Sequence, residues 1–147
     1  MNIATILARK GAQTITVRPE QTIREGLALL ARHNIGALIV VEGDRPVGIL
    51  SERDIVREVA RREDVVARTV AELMTRDVIT GQPQDDLQSV AHTMTEKRVR
   101  HLPVVDQGRL VGVVSIGDVV KAQRDQYRGE AETLQAQLLG DQPGRSQ

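Results

Sequence analysis

The stretch Ile35-Gly-Ala-Leu-Ile-Val-Val-Glu-Gly-Asp-Arg-Pro-Val-Gly-Ile-Leu-Ser-Glu-Arg-Asp54 recurs without a gap, 64 residues on, as Val99-Arg-His-Leu-Pro-Val-Val-Asp-Gln-Gly-Arg-Leu-Val-Gly-Val-Val-Ser-Ile-Gly-Asp118. The same offset pairs Ile15-Thr16 with Ile79-Thr80, Pro19 with Pro83 and Ile23 with Leu87, so the copied unit fills most of each half. The shared positions are not all apolar. Ser51 and Asp54 in one copy, and Ser115 and Asp118 in the other, stand at matching places after Gly48 and Gly112.

Working outward, each copy reads as β-α-β-β-α. Thr14 to Val17 forms a short β-branched strand, Pro19 to Thr22 a turn with Thr22 as N-cap, and Ile23, Leu27 and Leu30 one face of a helix. Leu38–Val41 and Val47–Leu50 make a hairpin about the turn 42–46. Ser51 ends that strand, and a helix from Glu52 to Arg61 turns Ile55, Val56 and Val59 inward. The second half repeats the order: a strand at Val78 to Thr80, a helix from Asp86 to Lys97, a hairpin from Leu102 to Val114, and a helix from Gly117 that continues past Tyr127. The periodic pattern weakens over residues 63–69, which reads as a linker between repeats 3–62 and 70–126. Residues 127–147 read as a helical extension with a frayed tail.

Size and composition limit the function. In a chain of 147 residues each half is too small to bury a comfortable core alone, so the halves should pack as one α/β module. Twenty basic and twenty acidic residues cancel without a basic run, which argues against a nucleic-acid partner. A single aromatic residue, Tyr127, leaves no stacking platform for bases. No cysteine is present, so disulfides and thiol chemistry are excluded. The apolar run Ile35 to Val41 is too short to cross a bilayer, and the N-terminus lacks the pattern of a secretion signal, so no membrane partner and a cytoplasmic location are expected.

The repeated order, with Gly-x-x-Ser-x-x-Asp closing the third strand, resembles tandem cystathionine-β-synthase (CBS) domains. Lys10-Gly11, Ile35-Gly-Ala37, Gly48-Ile-Leu-Ser-Glu-Arg-Asp54, Met74-Thr75, Arg98-Val-Arg-His-Leu-Pro-Val104 and Ser115-Ile-Gly-Asp-Val-Val-Lys121 are similar to the small bacterial CBS-pair proteins, over residues 3 to about 126. The resemblance implies two pseudo-twofold-related repeats and a non-catalytic sensor. Its clefts would bind an adenosyl ligand such as AMP, ADP, ATP or NAD(H), as a regulatory ligand and not a required cofactor. It also implies a homodimer of flat discs, paired through helices carrying Ile23, Leu27, Leu30, Leu87 and Met94. With no further domain in the sequence, output would pass through self-association or a protein partner.

By that resemblance Asp54 and Asp118 would accept from a ribose diol, and Ser51 and Ser115 with the helix N–H groups would hold phosphate. Base contacts come from the opposite repeat: Asp118 with Ile15, Ile35 and Gly36, and Asp54 with Ile79, Val99 and Arg100. Lys10, Ala37, Arg53, His101 and Pro103 complete the candidate nucleotide-binding set. Arg53 stands opposite Gly117, and Arg100-His101 opposite Gly36-Ala37, so the clefts should be unequal, with the tighter one at Asp118.

Other readings are structural. Ser51 and Ser115 also fit helix caps. His33 and His92 read as helix-surface residues, and Asp85-Asp86 as a helix start. No metal spacing, nucleophile elbow or phosphate loop is present, so catalytic and metal residues are not expected. The alternative function is a partner-binding scaffold whose clefts hold no nucleotide.

Overall fold

The computed structural model describes residues 1–11 and 13–140. The tail expected to fray lies, from residue 141 on, outside the described residues. The elements are α1 (Ile3–Lys10), β1 (Thr16–Val17), α2 (Ile23–His33), β2 (Ala37–Glu42), β3 (Arg45–Ser51), α3 (Glu52–Val59), α4 (Val70–Leu73), α5 (Leu87–Lys97), β4 (His101–Asp106), β5 (Arg109–Ser115) and α6 (Ile116–Gly140). A 3-10 turn at Val65–Ala67 precedes α4.

Both hairpins form in matching registers, Ala37 opposite Ser51 and His101 opposite Ser115, with a bulge at Val40/Val41 and again at Val104/Val105. Their bend is therefore written twice. The helix starts follow their caps: Thr22 accepts from the Glu25 N–H, Asp86 from the Gln88 N–H, and Ser51 from the Asp54 N–H. Asp85 accepts from the Gln82 N–H in the turn before α5, so this acidic pair shapes a helix start.

The first strands of the two copies differ. β1 pairs in parallel with β2, Val17 opposite Val40. At the matching place in the second copy the strand expected over Val78–Thr80 shrinks to one bridge, Gly81 opposite Val104. The residue opposite Thr80 is Pro103, which stands where the first repeat has Ile39 and has no N–H to give to the ladder. A Cβ on Gly81 would lie 2.8 Å from Leu102 Cδ2 and 2.9 Å from Ile3 Cδ1, so Ile3 fills the space that the Val17 side chain fills in the first repeat.

Two apolar cores result, and each borrows from the other half. Ile3 and Ile6 of α1 pack with Leu87, Val90, Met94, Leu102, Val104 and Val114 of the second repeat. Val65 and Val70, from the segment read as a linker and the start of the second repeat, pack with Val17, Ile23, Leu38 and Leu50 of the first. Under the 64-residue offset α1 corresponds to residues 67–74. Each repeat therefore gives its leading segment to its partner. The close approach explains two glycines: a Cβ on Gly48 would meet Met74 Sδ at 2.6 Å, and one on Gly112 would meet Leu7 Cδ2 at 2.8 Å.

One expectation is corrected. Val56 and Val59 are not inward; they are 66% and 56% exposed, and only Ile55 of that trio is buried, because α3 runs past the end of the core. On α2 and α5, the helices expected to pair two copies, the apolar residues named serve the core. Ile23, Leu30, Leu87 and Met94 are buried within one chain, and Leu27 packs partly buried on the first core. Among the described residues the large apolar side chains left exposed lie, Met1 apart, on α3 and along α6.

Ile3 lies near the N-terminus yet is fully buried in the second repeat's core. Ile3→Ala should lower the unfolding free energy by about 2–5 kcal/mol, as for other buried large-to-small changes. Urea titration checks this, and a loss below about 1 kcal/mol would mean that α1 does not hold the second repeat.

Candidate functional site

Each Ser-x-x-Asp unit sits where β3 or β5 runs directly into a helix. The Asp54 N–H donates to Ser51 Oγ at 3.1 Å, and the Asp118 N–H donates to Ser115 Oγ at 3.1 Å. These caps close the first helical turn and point each aspartate toward the other repeat. The strand entrances face one another across the pseudo-twofold relation, so Gly36, Ala37 and His101 line clefts on both sides.

The larger cleft, about 500 Å³, collects residues of both repeats around Asp54. Ser51, Arg53 and Asp54 come from the β3–α3 junction, while Ile79, Val99, Arg100 and His101 come from the second repeat. This is the full set expected around Asp54. Glu52, Thr75, Asp77 and Arg98 also line it and were not anticipated. Asp54 has no hydrogen-bond or ion-pair partner for its carboxylate among the described residues, which leaves both oxygens open to a donor.

Arg98 could have been found from the repeat. Its counterpart is Asn34, and both end their helices in the left-handed conformation, at φ 51 for Asn34 and 55 for Arg98. Asn adopts that backbone at less cost than Arg. An arginine placed there against conformational preference, at the edge of a cleft with two others, is a sign of use.

The second cleft, about 350 Å³, is lined by Ile15, Ile35, Gly36, Ala37, Ser115, His101 and Lys10, together with Gln13, Ile39 and Val113. Asp118 itself lines a neighbouring cavity of about 110 Å³ with Ile6, Arg9, Lys10, Lys121, Ala122 and Asp125. Lys10 separates the two. Its Nζ donates to Asp118 Oδ2 at 2.7 Å and to the Val113 carbonyl at 3.0 Å. The residues expected to act with Asp118 are thus gathered beside it, on the far side of a lysine. At the position of Lys10 the other repeat has Met74, packed on Gly48, so the first aspartate keeps no such partner. Pro103 lines neither cleft; it is buried in β4, where its carbonyl accepts from the Gly81 N–H at 2.9 Å.

The electrostatics follow these contacts. Desolvation, the largest single influence on Asp118, pushes its carboxyl up, but the hydrogen bonds and charge of Lys10 and the bonds from Ser115 together hold it below the usual carboxylate value. His101 is pushed down from 6.5 by burial first, then by the positive charges of Lys10 and Arg100, with Asp118 opposing. The imidazole between the clefts is therefore kept neutral and able both to donate and to accept. His33 and His92 are exposed, the latter 3.3 Å from Glu96, and no cluster of three or more metal-ligating side chains occurs among the described residues. No helix described is long and apolar enough to cross a membrane.

An α/β module of two intertwined repeats, with a ligand-sized cleft on each side of the relation between them, is the class of protein these features define. The family description "CBS domain" matches the chain twice, over residues 9–61 and 70–125. The chain belongs to the CBS-domain family. It is 36% identical over 122 residues to the CBS domain-containing protein YhcV of Bacillus subtilis, covering 82% of this chain and 87% of the relative. The crystal structure of the CBS-domain protein ATU1752 from Agrobacterium tumefaciens superposes with a TM-score of 0.79 at 38% identity, covering 84% of this chain and 99% of the other. The CBS domain pair of protein MJ0100, solved in complex with 5′-methylthioadenosine and S-adenosyl-L-methionine, aligns with a TM-score of 0.75 at 30% identity, over 86% of this chain and 98% of the other.

Two outcomes are expected. The lowered His101 value means that the unfolded chain binds its proton more readily, so stability should fall as pH drops below 6.5, and His101→Gln should flatten that part of the curve. Urea midpoints for both proteins at pH 7.5 and 5.5 check this, and equal acid losses would refute the burial of His101. Arg98→Asn should raise the unfolding free energy by about 1 kcal/mol by relieving the left-handed strain; unchanged stability in the same titration would show the arginine to be unstrained.

Proposed function

We propose that this chain is a regulatory, non-catalytic module that binds adenosyl ligands in the two clefts between its repeats. The observation that carries the reading is the Asp54 cleft, where a capped serine, an unpaired carboxylate and Arg53 of the first repeat meet Arg98, Arg100 and the apolar Ile79 and Val99 of the second. Asp54 would accept from both hydroxyls of a ribose, which only donors can satisfy. Ser51 and the α3 N–H groups, with Arg53, Arg98 and Arg100, would meet phosphate oxygens. Ile79 and Val99 would cover the base. The ligands in the MJ0100 complex, both adenosyl compounds, support the choice of ligand class.

The clefts are unequal, and their charges suggest how. Asp118 is engaged by Lys10, so a ribose there must displace a charge-assisted bond or use Lys10 as its own phosphate contact. The cleft beside it has only Lys10 and His101 as basic groups, and suits an adenosyl ligand with little charge. The Asp54 cleft suits AMP, ADP or ATP. On the charges, tighter binding of phosphorylated ligands belongs at Asp54, in place of the preference for Asp118 drawn from sequence.

A ligand spanning both repeats favours the arrangement in which its two sets of contacts coincide, and only that difference in affinity can drive an output. The output would pass through self-association or a protein partner in the cytoplasm. In both clefts the serine hydroxyl is engaged as a helix cap, accepting from the N–H of Asp54 or Asp118, which supports a sensing role over turnover.

The test is calorimetric titration with AMP, ADP, ATP, NAD and S-adenosylmethionine, with GTP as control. Asp54→Ala should weaken the nucleotide site roughly 10- to 100-fold, the loss expected for hydrogen bonds to a charged group. Unaltered affinity would remove the ribose role of Asp54. Silence from every adenosyl compound would favour a partner-binding scaffold.

A further inference from the structure

The feature the clefts leave unexplained is α6. Among the described residues the last buried side chain is Ala122, yet the helix runs on to Gly140, and every residue from 127 to 140 is exposed. Those fourteen residues extend about 21 Å past the body at 1.5 Å per residue. A helix of that length is marginal in water unless something covers one face.

Its exposed large apolar residues, Leu139 apart, are not scattered. Val120, Tyr127, Ala131, Leu134 and Leu138 follow one another at intervals of 7, 4, 3 and 4, with Arg124 in the missing place. That is the seam of a two-stranded coiled coil, which asks for another helix and not for a flat surface. All four large members are more than half exposed.

The charges say which helix. The first half of the segment carries Lys121, Arg124 and Arg128, while Asp125 is turned back to Arg9 at 3.9 Å. The second half carries Glu130 and Glu132 and no basic residue. A segment basic at one end and acidic at the other complements itself when a second copy lies antiparallel, the self-matching arrangement of a twofold interface. The seam agrees. Centring the pair on Gly129 lays Val120 on Leu138, the stem of Arg124 on Leu134, and the large Tyr127 on the small Ala131. A parallel pair would instead put Arg124 against Arg124 inside the seam.

We propose that residues 120–138 of α6 form an antiparallel coiled coil with the same segment of a second copy of this chain. The contact lies outside both clefts, so it stands or falls apart from the nucleotide reading. Leu134 and Leu138 touch no core residue, and replacing them should leave the body folded.

Sedimentation or light scattering of the purified full chain is the first measurement. Leu134→Glu with Leu138→Glu should halve the mass of the assembly while the urea midpoint stays unchanged; an unchanged mass, or a wild-type monomer at 100 μM, would overturn the proposal. Direction is read separately, because the chain has no cysteine of its own. Val120→Cys and Leu138→Cys should form a covalent dimer on oxidation only when the two variants are mixed. Cross-linking of Leu138→Cys alone would overturn the antiparallel register, since its two copies would then have to lie side by side.

Discussion

The constraint on which the rest depends is the exchange of leading segments. Neither half closes its own core: Ile3 and Ile6 complete the second, and Val65 and Val70 complete the first. Burial of each such side chain contributes about 1.5–3 kcal/mol relative to exposure, and two halves of this size have little margin without it. The exchange also ties backbone to backbone, with the Ile49 N–H donating to the Thr75 carbonyl and the Thr75 N–H returning the bond. Because Thr75 leads straight to Asp77 and Ile79, the tie that joins the repeats also builds the far wall of the Asp54 cleft.

The same exchange breaks the symmetry that the duplication set up. The donated segments occupy equivalent places but differ in sequence, and at their ends one has Lys10 where the other has Met74. Met74 spends its side chain packing on Gly48, whereas Lys10 reaches Asp118 and the Val113 carbonyl. Two aspartates behind matching serine caps therefore differ in their availability, and one cleft is parted from its carboxylate while the other is continuous. His101, on the wall shared by both, is held neutral by burial and by the lysine and arginine near it. Differences in charge between the clefts thus come from a few positions around a nearly unchanged backbone.

Much of this was legible beforehand. The offset of 64 residues, the hairpins, the caps at Thr22 and Ser51 and the helix start at Asp85-Asp86 follow from local pattern and from hydrogen bonds made within three residues, so sequence reports them well. The residues named around Asp54 were legible through the family resemblance, and the structure gathers them. The errors have one physical origin. Val56 and Val59 were placed inward because periodicity tells which residues share a face but not what lies against it. Arg98 was passed over because a helix end is a local matter, while the cleft it borders is not.

What the sequence by itself determined is the unit and its duplication: the order of elements, the bulged hairpin, and a serine-capped aspartate at each strand end. All of these depend on neighbours close along the chain. What only the tertiary structure decided is which half each leading segment completes, that Gly81 yields its place to Ile3, and that Lys10 stands against an aspartate 108 positions away. Those outcomes turn on which apolar surfaces and charges meet when two incomplete cores close on one another, and no local pattern records that meeting.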